Sequence, residues 1–466
     1  MEPPPVHPRL QSRRELTHRQ GLVRRRKTFH PGGVFLRTMS LGSTASSTSI
    51  PATVASDRPE KPSASDAKVK PKAPPKKRAR WARRLAWAAC GTVAFILAFW
   101  VAIHEIPGFG PAVADGARAV LGPGFVAWAE DTAYGIADEI NQLRHKDDAP
   151  VTYWEAPPAP SAEPSADPAA SAEPAAPPNP PPPSFAPPHE KVATAADGKW
   201  IPMEDASGQP PALYKSLIHP DPKRSFAVVA LVAIDRQRVG LHLVAGKTEP
   251  QSNVVPMERR PGMVPEPARE ELIAAFNGGF KAIHGHWGMM LGGETYVVPR
   301  DVGCTVAMMK DGTVRIGTWK DLKASEADIS WYRQTPPCLV ENDATHPALE
   351  VEYAKGWGAT VSGETVIRRS ALGVDATGRF LIFGLGDALT AQSLARAMKQ
   401  AGAKDAAQLD VNYAYPRFLV YERGEDGAPP KAKSAIIPDI KFRPAEYVSE
   451  PALRDFFYLT RKKNES

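Results

Sequence analysis

Acidic charge is scarce where the chain begins. Residues 1–84 hold 20 Lys+Arg against 5 Asp+Glu, a net of +15, whereas residues 85–466 hold 38 against 46, a net of −8. The formal charge of +7 is therefore a property of the tail. The mildly acidic remainder has no electrostatic motive to bind nucleic acid. The tail is also short of aromatic residues and rich in Ser, Pro, Ala, Arg and Lys, so residues 1–80 are expected to be a disordered cytoplasmic segment. Cysteine is rare, with only Cys90, Cys304 and Cys338 in the whole chain.

Charge of either sign is missing from Leu85–Ile103 (LAWAACGTVAFILAFWVAI), 19 residues and long enough to span a hydrocarbon core as a helix. Trp81, Trp87 and Trp100 sit near its ends, where amphipathic rings favour the interface. The basic run KVKPKAPPKKRARWARR precedes it, and the positive-inside rule then places the N-terminus in the cytoplasm and the C-terminal bulk across the membrane. A cleaved signal peptide is the rival reading. Ala112-Val113-Ala114 has the small-residue pattern, but it lies well beyond the apolar run, and the preceding tail is too long for an n-region. Met39 is an alternative start that leaves anchor and basic flank intact.

Beyond the anchor, residues 111–146 read as short juxtamembrane helices, with Phe125, Trp128, Tyr134, Ile136 and Ile140 at roughly helical spacing. A membrane-surface helix, a self-association helix and a spacer packed on the folded domain all fit that pattern. Residues 150–190 contain 15 prolines, whose missing backbone donors exclude helices and central strands. Polyproline II at about 3.1 Å per residue gives this segment a reach on the order of 100 Å, which predicts a stalk.

Residues 194–463 have globular composition. FAVVALVAIDRQRVGLHLVAG (226–246) reads as two strands around a turn at 235–237. CTVAMMKDGTVRIGTW (304–319) reads as a hairpin turned at Asp311-Gly312, and residues 361–386 as further strands turned at Ser362-Gly363 and Ala376-Thr377-Gly378. Helices are expected at 267–275 and at 390–401, the latter capped by Thr390 and closed by Gly402. The sum is an α+β domain with a mixed, largely antiparallel sheet and packed helices. In an extracytoplasmic domain a Cys304–Cys338 disulfide is permitted, two separate buried thiols being the other reading.

Three segments have chemical potential. In AAFNGGFKAIHGHWGMMLGG (274–293), Gly278 and Gly279 allow backbone N–H groups to approach a ligand, and Asn277 both donates and accepts. His284 and His286 would share one face of a strand, but no Cys or carboxylate follows at metal-ligand spacing, so a pocket lining is expected and no metal site. In ETVIRRSALG (364–373), Arg368 and Arg369 point to opposite faces, and one guanidinium suits a phosphate. In AKDAAQLDVNYAYPRF (403–418), Asp410 ends a buried strand; Asp387 is a second candidate.

Together these segments resemble the phosphodiester glycosidase family, which includes the enzyme that uncovers mannose 6-phosphate by removing N-acetylglucosamine from a phosphodiester. The resemblance covers roughly 220–425. It rests on Asn277-Gly278-Gly279-Phe280, then Arg369-Ser370-Ala371-Leu372-Gly373, then LIFGLGDALTAQSLARAMKQAGA, then Gln408-Leu409-Asp410, in the family's order. It implies a hydrolase of a phosphodiester-linked or anionic glycan. Asn277, Arg369 and Asp410 would be catalytic, Arg369 holding a phosphate or carboxylate and the Gly278-Gly279 backbone donating to an oxyanion. Apart from the resemblance, the residues themselves make His284, His286, Asn412 and Tyr413 candidates to line the substrate. The resemblance names no cofactor. Glycoside hydrolysis usually uses two carboxylates; Glu364 and Asp387 are the candidates for the second. The chain departs from the family after Asp410, where Val411-Asn412-Tyr413-Ala414-Tyr415 replaces Gly-Gly-Gly-Ser. That segment cannot wrap backbone donors around a phosphate in the same way. The alternative is a non-catalytic module on a stalk that binds a glycan or cell-envelope polymer.

Overall fold

The computed structural model describes residues 76–106, 109–156, 180–205, 207–350, 356–358 and 366–463. Most of the basic tail, the centre of the proline-rich segment, Ser362-Gly363 and Glu364 lie outside the described residues. The N-terminal part forms three helices, Lys76–Glu105, Phe109–Leu121 and Pro123–Arg144. Pro123 opens the last of these at the position where a missing N–H costs nothing. Among the described residues no helix is long and apolar enough to cross a membrane. The side chains of Ile96, Leu97, Trp100 and Ile103, within the expected span, are not among those described.

The rest is sheet-dominated. An eight-stranded sheet runs in the spatial order Ile201–Met203, Leu213–Ile218, Val229–Asp235, Phe380–Leu389, Ile367–Asp375, Ala403–Val411, Val340–Glu341, Ala344–Thr345. A five-stranded sheet is ordered Glu294–Val297, Met289–Leu291, Ile329–Thr335, Cys304–Met309, Val314–Thr318. Another is ordered Lys431–Ala435, Phe418–Glu422, Leu272–Asn277, Phe456–Arg461, Val239–Val244. Every ladder among the described strands is antiparallel. The expected largely antiparallel sheet is thus present. The helix Ala391–Gln400 carries the chain from Phe380–Leu389 to Ala403–Val411, which run parallel to each other, but Ile367–Asp375 lies between them and pairs antiparallel with both. The predicted hairpins at 304–318 and 367–389 are present, turned by Gly312 (φ 83°) and Gly378 (φ 71°).

The two strands expected around the turn at 235–237 are present as Val229–Asp235 and Val239–Val244, though they pair in different sheets. The first sits between Leu213–Ile218 and Phe380–Leu389, and the second pairs with Phe456–Arg461 in another sheet. Both edges of the first are therefore already paired, and all seven of its residues are buried. The helix expected over 267–275 is a 3-10 turn at Glu266–Ala268 followed by the strand Leu272–Asn277, buried at all six positions. Pairing on both edges, with Phe418–Glu422 and Phe456–Arg461, overrides the helical propensity of Leu and Ala.

The core lies where the three sheets meet. Phe276 stacks on Phe418 and Phe457 (5.7 and 5.3 Å between ring centroids) and reaches Phe383 of the large sheet at 4.9 Å. Trp331 of the remaining sheet meets Phe457 at 5.9 Å. The helix Ala391–Gln400 buries Leu394, Ala395, Ala397 and Met398 in a second cluster that includes Ala371, Ile382 and Ala406 of the large sheet. Thr390 caps it as expected, its hydroxyl accepting from the Ser393 amide at 3.0 Å. Cys304 and Cys338 form a disulfide, their Cα atoms 4.7 Å apart.

Both flanks of the proline-rich segment pack on the domain. Upstream, the Val151 amide donates to Ser225 O at 3.3 Å, and Lys215 lies over the Trp154 ring at 4.8 Å. Downstream, Phe185 meets Trp200 edge-on at 5.9 Å and Gln400 donates to Ala186 O at 2.7 Å. The helix Pro123–Arg144 packs there too, through Asp138 on the buried Arg224.

Candidate active site

The strand Leu272–Asn277 ends by delivering Asn277-Gly278-Gly279 to the end of Ala403–Val411, the central strand that carries Asp410. The join is direct: the Asp410 amide donates to Gly278 O at 3.1 Å. Asn277 Nδ2 donates to Ser370 Oγ at 2.9 Å, and that hydroxyl donates to Asp410 O at 3.1 Å. Asn277 Oδ1 accepts the Arg417 amide at 3.1 Å. Asn277 and Asp410, both singled out by the family motif, therefore share one place with Gly278 and Gly279. Ser370, from the same motif run, links them.

Asp410 is 3 % exposed. Arg454 forms an ion pair with its carboxylate, and Asn412 Nδ2 donates to it at 3.1 Å. Burial pushes the Asp410 carboxyl up to about 6. The Arg454 guanidinium and a hydrogen bond from the Val411 amide pull it down, and Asp455 adds to the rise. A carboxyl of this kind is neutral in mild acid and charged at neutral pH, the range useful to a general acid or base.

A second carboxylate, Asp455, stands beside it. Arg333, 0 % exposed, holds Asp455 through Nε at 2.9 Å and Nη2 at 3.2 Å. The Gly279 amide donates to Asp455 Oδ2 at 2.8 Å and the Gly278 amide to Asp455 O at 3.0 Å. The glycines are required by this approach, since a Cβ on Gly278 would lie 2.0 Å from Asp455 Oδ2. The expected oxyanion role of these amides is corrected accordingly: their hydrogens are already given to Asp455.

Arg369 does not join the cluster. A bulge between Arg369 and Ala371 leaves it on the Gln408 face of the sheet. There it donates to Leu389 O at 2.8 Å, to Trp357 O at 2.5 Å and to Gln408 Oε1 at 3.1 Å. Burial lowers its pKa to about 9. Arg368 instead binds Asp387 in bidentate fashion, at 2.7 and 3.0 Å, and donates to Tyr413 O at 2.9 Å. Asp387 is thereby an ion-pair partner of Arg368, and Glu364 lies outside the described residues.

The histidines depart further from expectation. His284 ends a 3-10 turn and His286 has φ 49°, so they share no strand face; His284 is exposed, and the turn's C-cap Gly285 stands between the two. Among the described residues no group of His, Cys, Asp and Glu is placed to hold a metal. Tyr413 is 49 % exposed at the outer edge. Asn412 organises the divergent loop: its Oδ1 accepts the Ala414 and Tyr415 amides at 2.8 and 2.7 Å. Those donors are consumed locally. Tyr415 lies under the Arg454 guanidinium at 4.2 Å. An open cleft of about 400 Å³ lies elsewhere, lined by Arg315, Glu341, Asp375 and Lys404, and shares no residue with this cluster.

Residues 270–410 match the family model of the phosphodiester glycosidases, so the resemblance read from the motifs holds. No curated protein matches the chain. Among solved structures, the zebrafish N-acetylglucosamine-1-phosphodiester alpha-N-acetylglucosaminidase catalytic domain, auto-inhibited by its pro-peptide, is 14% identical. The alignment covers 57% of this chain and 88% of that one, with a TM-score of 0.35. A hypothetical protein from Synechocystis is 11% identical over 54% of this chain and 62% of its own, with a TM-score of 0.29. A putative exported protein from Burkholderia pseudomallei is 12% identical over 55% of this chain and 75% of its own, with a TM-score of 0.24. These overlaps are too loose to equate individual residues.

Proposed function

We propose, from the match of residues 270–410 to the phosphodiester glycosidases, that the chain is a membrane-anchored hydrolase. Its substrate would be a phosphodiester-linked or otherwise anionic glycan outside the cytoplasm. The observation that carries the reading is the Asp410 carboxyl, buried, raised to about 6 and paired with Arg454 beside the Asn-Gly-Gly turn. In this reading water adds to the anomeric carbon and gives up a proton to solvent as the bond to the phosphate oxygen breaks, protonated Asp410 delivers its proton to that leaving oxygen, and Arg454 meets the negative charge of the phosphodiester, the role the family motif had suggested for Arg369. Asp455 orients Arg333 and the glycine turn, and Asn277 and Ser370 fix the Asp410 backbone.

The anchor is supported by the uncharged run 85–103 within the helix Lys76–Glu105 and by the basic flank before it. A domain outside the cytoplasm is supported by the Cys304–Cys338 disulfide. A second reading, a glycan-binding module without turnover, is favoured by one observation: the amides of Gly278, Gly279, Ala414 and Tyr415 are all engaged within the protein. The test is hydrolysis of sugar phosphodiesters by the full chain in detergent, against its Asp410→Asn variant. Turnover lost in the variant, with folding retained, supports the hydrolase. Equal turnover removes Asp410 from the chemistry, and glycan binding without turnover in either supports the binding module.

A further inference from the structure

The helix Pro123–Arg144 is amphipathic in the reverse sense for a helix packed on a domain. Val126 near its start is buried, but around Asp138 a polar side faces inward. Asp138, 8 % exposed, accepts from Arg224 Nε at 2.9 Å and Nη2 at 2.7 Å, and Gln142 donates to the same carboxylate at 2.7 Å. Asp221 completes the clamp, accepting from Arg224 Nη1 at 2.7 Å. Farther along, the His145 ring lies 5.3 Å from that of Phe226. The large apolar side chains face outward: Ile136, Ile140 and Leu143 are 55, 52 and 77 % exposed. Their spacing of four and then three residues puts them on one helical face, roughly opposite Asp138. The preceding helix, Phe109–Leu121, ends in Val120 and Leu121, 84 and 56 % exposed.

An exposed apolar stripe of this size marks a contact, and chain connectivity says with what. These helices follow directly on Lys76–Glu105, which contains the uncharged run 85–103. A bilayer that holds that run lies within a few residues of Phe109. We propose that Phe109–Leu121 and Pro123–Arg144 rest on the bilayer surface with Ile136, Ile140 and Leu143 in the acyl boundary. The Asp138–Arg224 clamp then fixes the catalytic domain to the membrane plane. The proposal rests on the anchored reading above and adds what it lacks, a placement for the domain. The proline-rich segment then has no part in holding the domain away from the lipid, because it follows the clamp in sequence. Surface helices of this kind bind through their apolar face at the headgroup–acyl boundary.

The test uses the full chain with pyrene attached to single cysteines, reconstituted in phosphatidylcholine–phosphatidylglycerol vesicles with brominated acyl chains. Native Cys90, inside the uncharged run and free, reports the anchor. In a Cys90→Ser background, Ile140→Cys reports the stripe. Asn141→Cys, one residue later and half-buried, reports a face turned about 100° from Ile140 and farther still from Ile136 and Leu143. The expected result is strong quenching at Cys90 and at position 140, and several-fold less at position 141. Quenching at Cys90 without quenching at position 140 overturns this inference and leaves the anchor standing. No quenching at Cys90 overturns the anchor itself. Pyrene excimer at position 140 in place of quenching assigns the stripe to a second copy of the chain and also overturns the inference.

Discussion

The Asp410 carboxyl makes a signed prediction about stability. Its pKa rises from 3.8 to about 6 on folding, so between those values the folded state holds a proton that the unfolded state has lost. Stability then falls as pH rises through this window. The contribution is fully present below the unfolded value and is lost as pH passes about 6. At 1.36 kcal/mol per unit the full span is about 3 kcal/mol, of which about 2 falls between roughly pH 4 and pH 7. Asp410→Asn removes this titration and keeps the shape. The assay is urea unfolding of both proteins at several pH values, read as the difference in free energy, wild type minus variant. That difference should drop by about 2 kcal/mol across the window. A difference that rises with pH would refute the reasoning, since it would mean that Arg454 outweighs burial and holds the carboxyl below its ordinary value.

The other predictions concern neighbours of that site and the staple across the sheets. Arg454→Met removes the cation that opposes burial, and the ionisation of Asp410 should move upward by about 1–3 units, read from the protonated-carboxyl infrared band in a difference spectrum against Asp410→Asn. Gly278→Ala drives a Cβ into Asp455 Oδ2 and should cost about 1–3 kcal/mol with loss of activity, measured by denaturant midpoint and turnover. Replacing both Cys304 and Cys338 by Ser opens a loop of sequence separation 34 and should cost about 4 kcal/mol by loop entropy, seen as a lowered urea midpoint. A reduced but otherwise intact protein should match the double variant.

What could be read from the sequence was mostly local. Gly312 and Gly378 announced their hairpins, and Thr390 announced its helix, because a turn or a cap is decided by a few adjacent residues. The meeting of Asn277 with Asp410 was legible only through the order of the family motif. Arg454 and Asp455 escaped notice. They lie just before Phe456–Arg461, and the pairing of that strand with Leu272–Asn277 brings them to the glycine turn from far along the chain. No short-range pattern encodes such a pairing. The choice between Arg368 and Arg369 was narrowed to one per face by alternation. Its outcome was set by a bulge in the ladder to Ala403–Val411, which needs the partner strand to exist before it can be seen.

The anchoring of both flanks of the proline-rich segment to one body has a practical meaning for anyone who cuts the chain. Val151 is tied to Ser225, and Ala186 to Gln400, so a protease that cleaves between them produces a nicked molecule whose two pieces stay together. A truncation that starts after the prolines is a different object. It strips Trp154 from Lys215 and Asp138 from Arg224, leaving a buried guanidinium with half its partners. The boundary of the working unit therefore lies upstream of Pro123, on the N-terminal side of what composition marks as a linker.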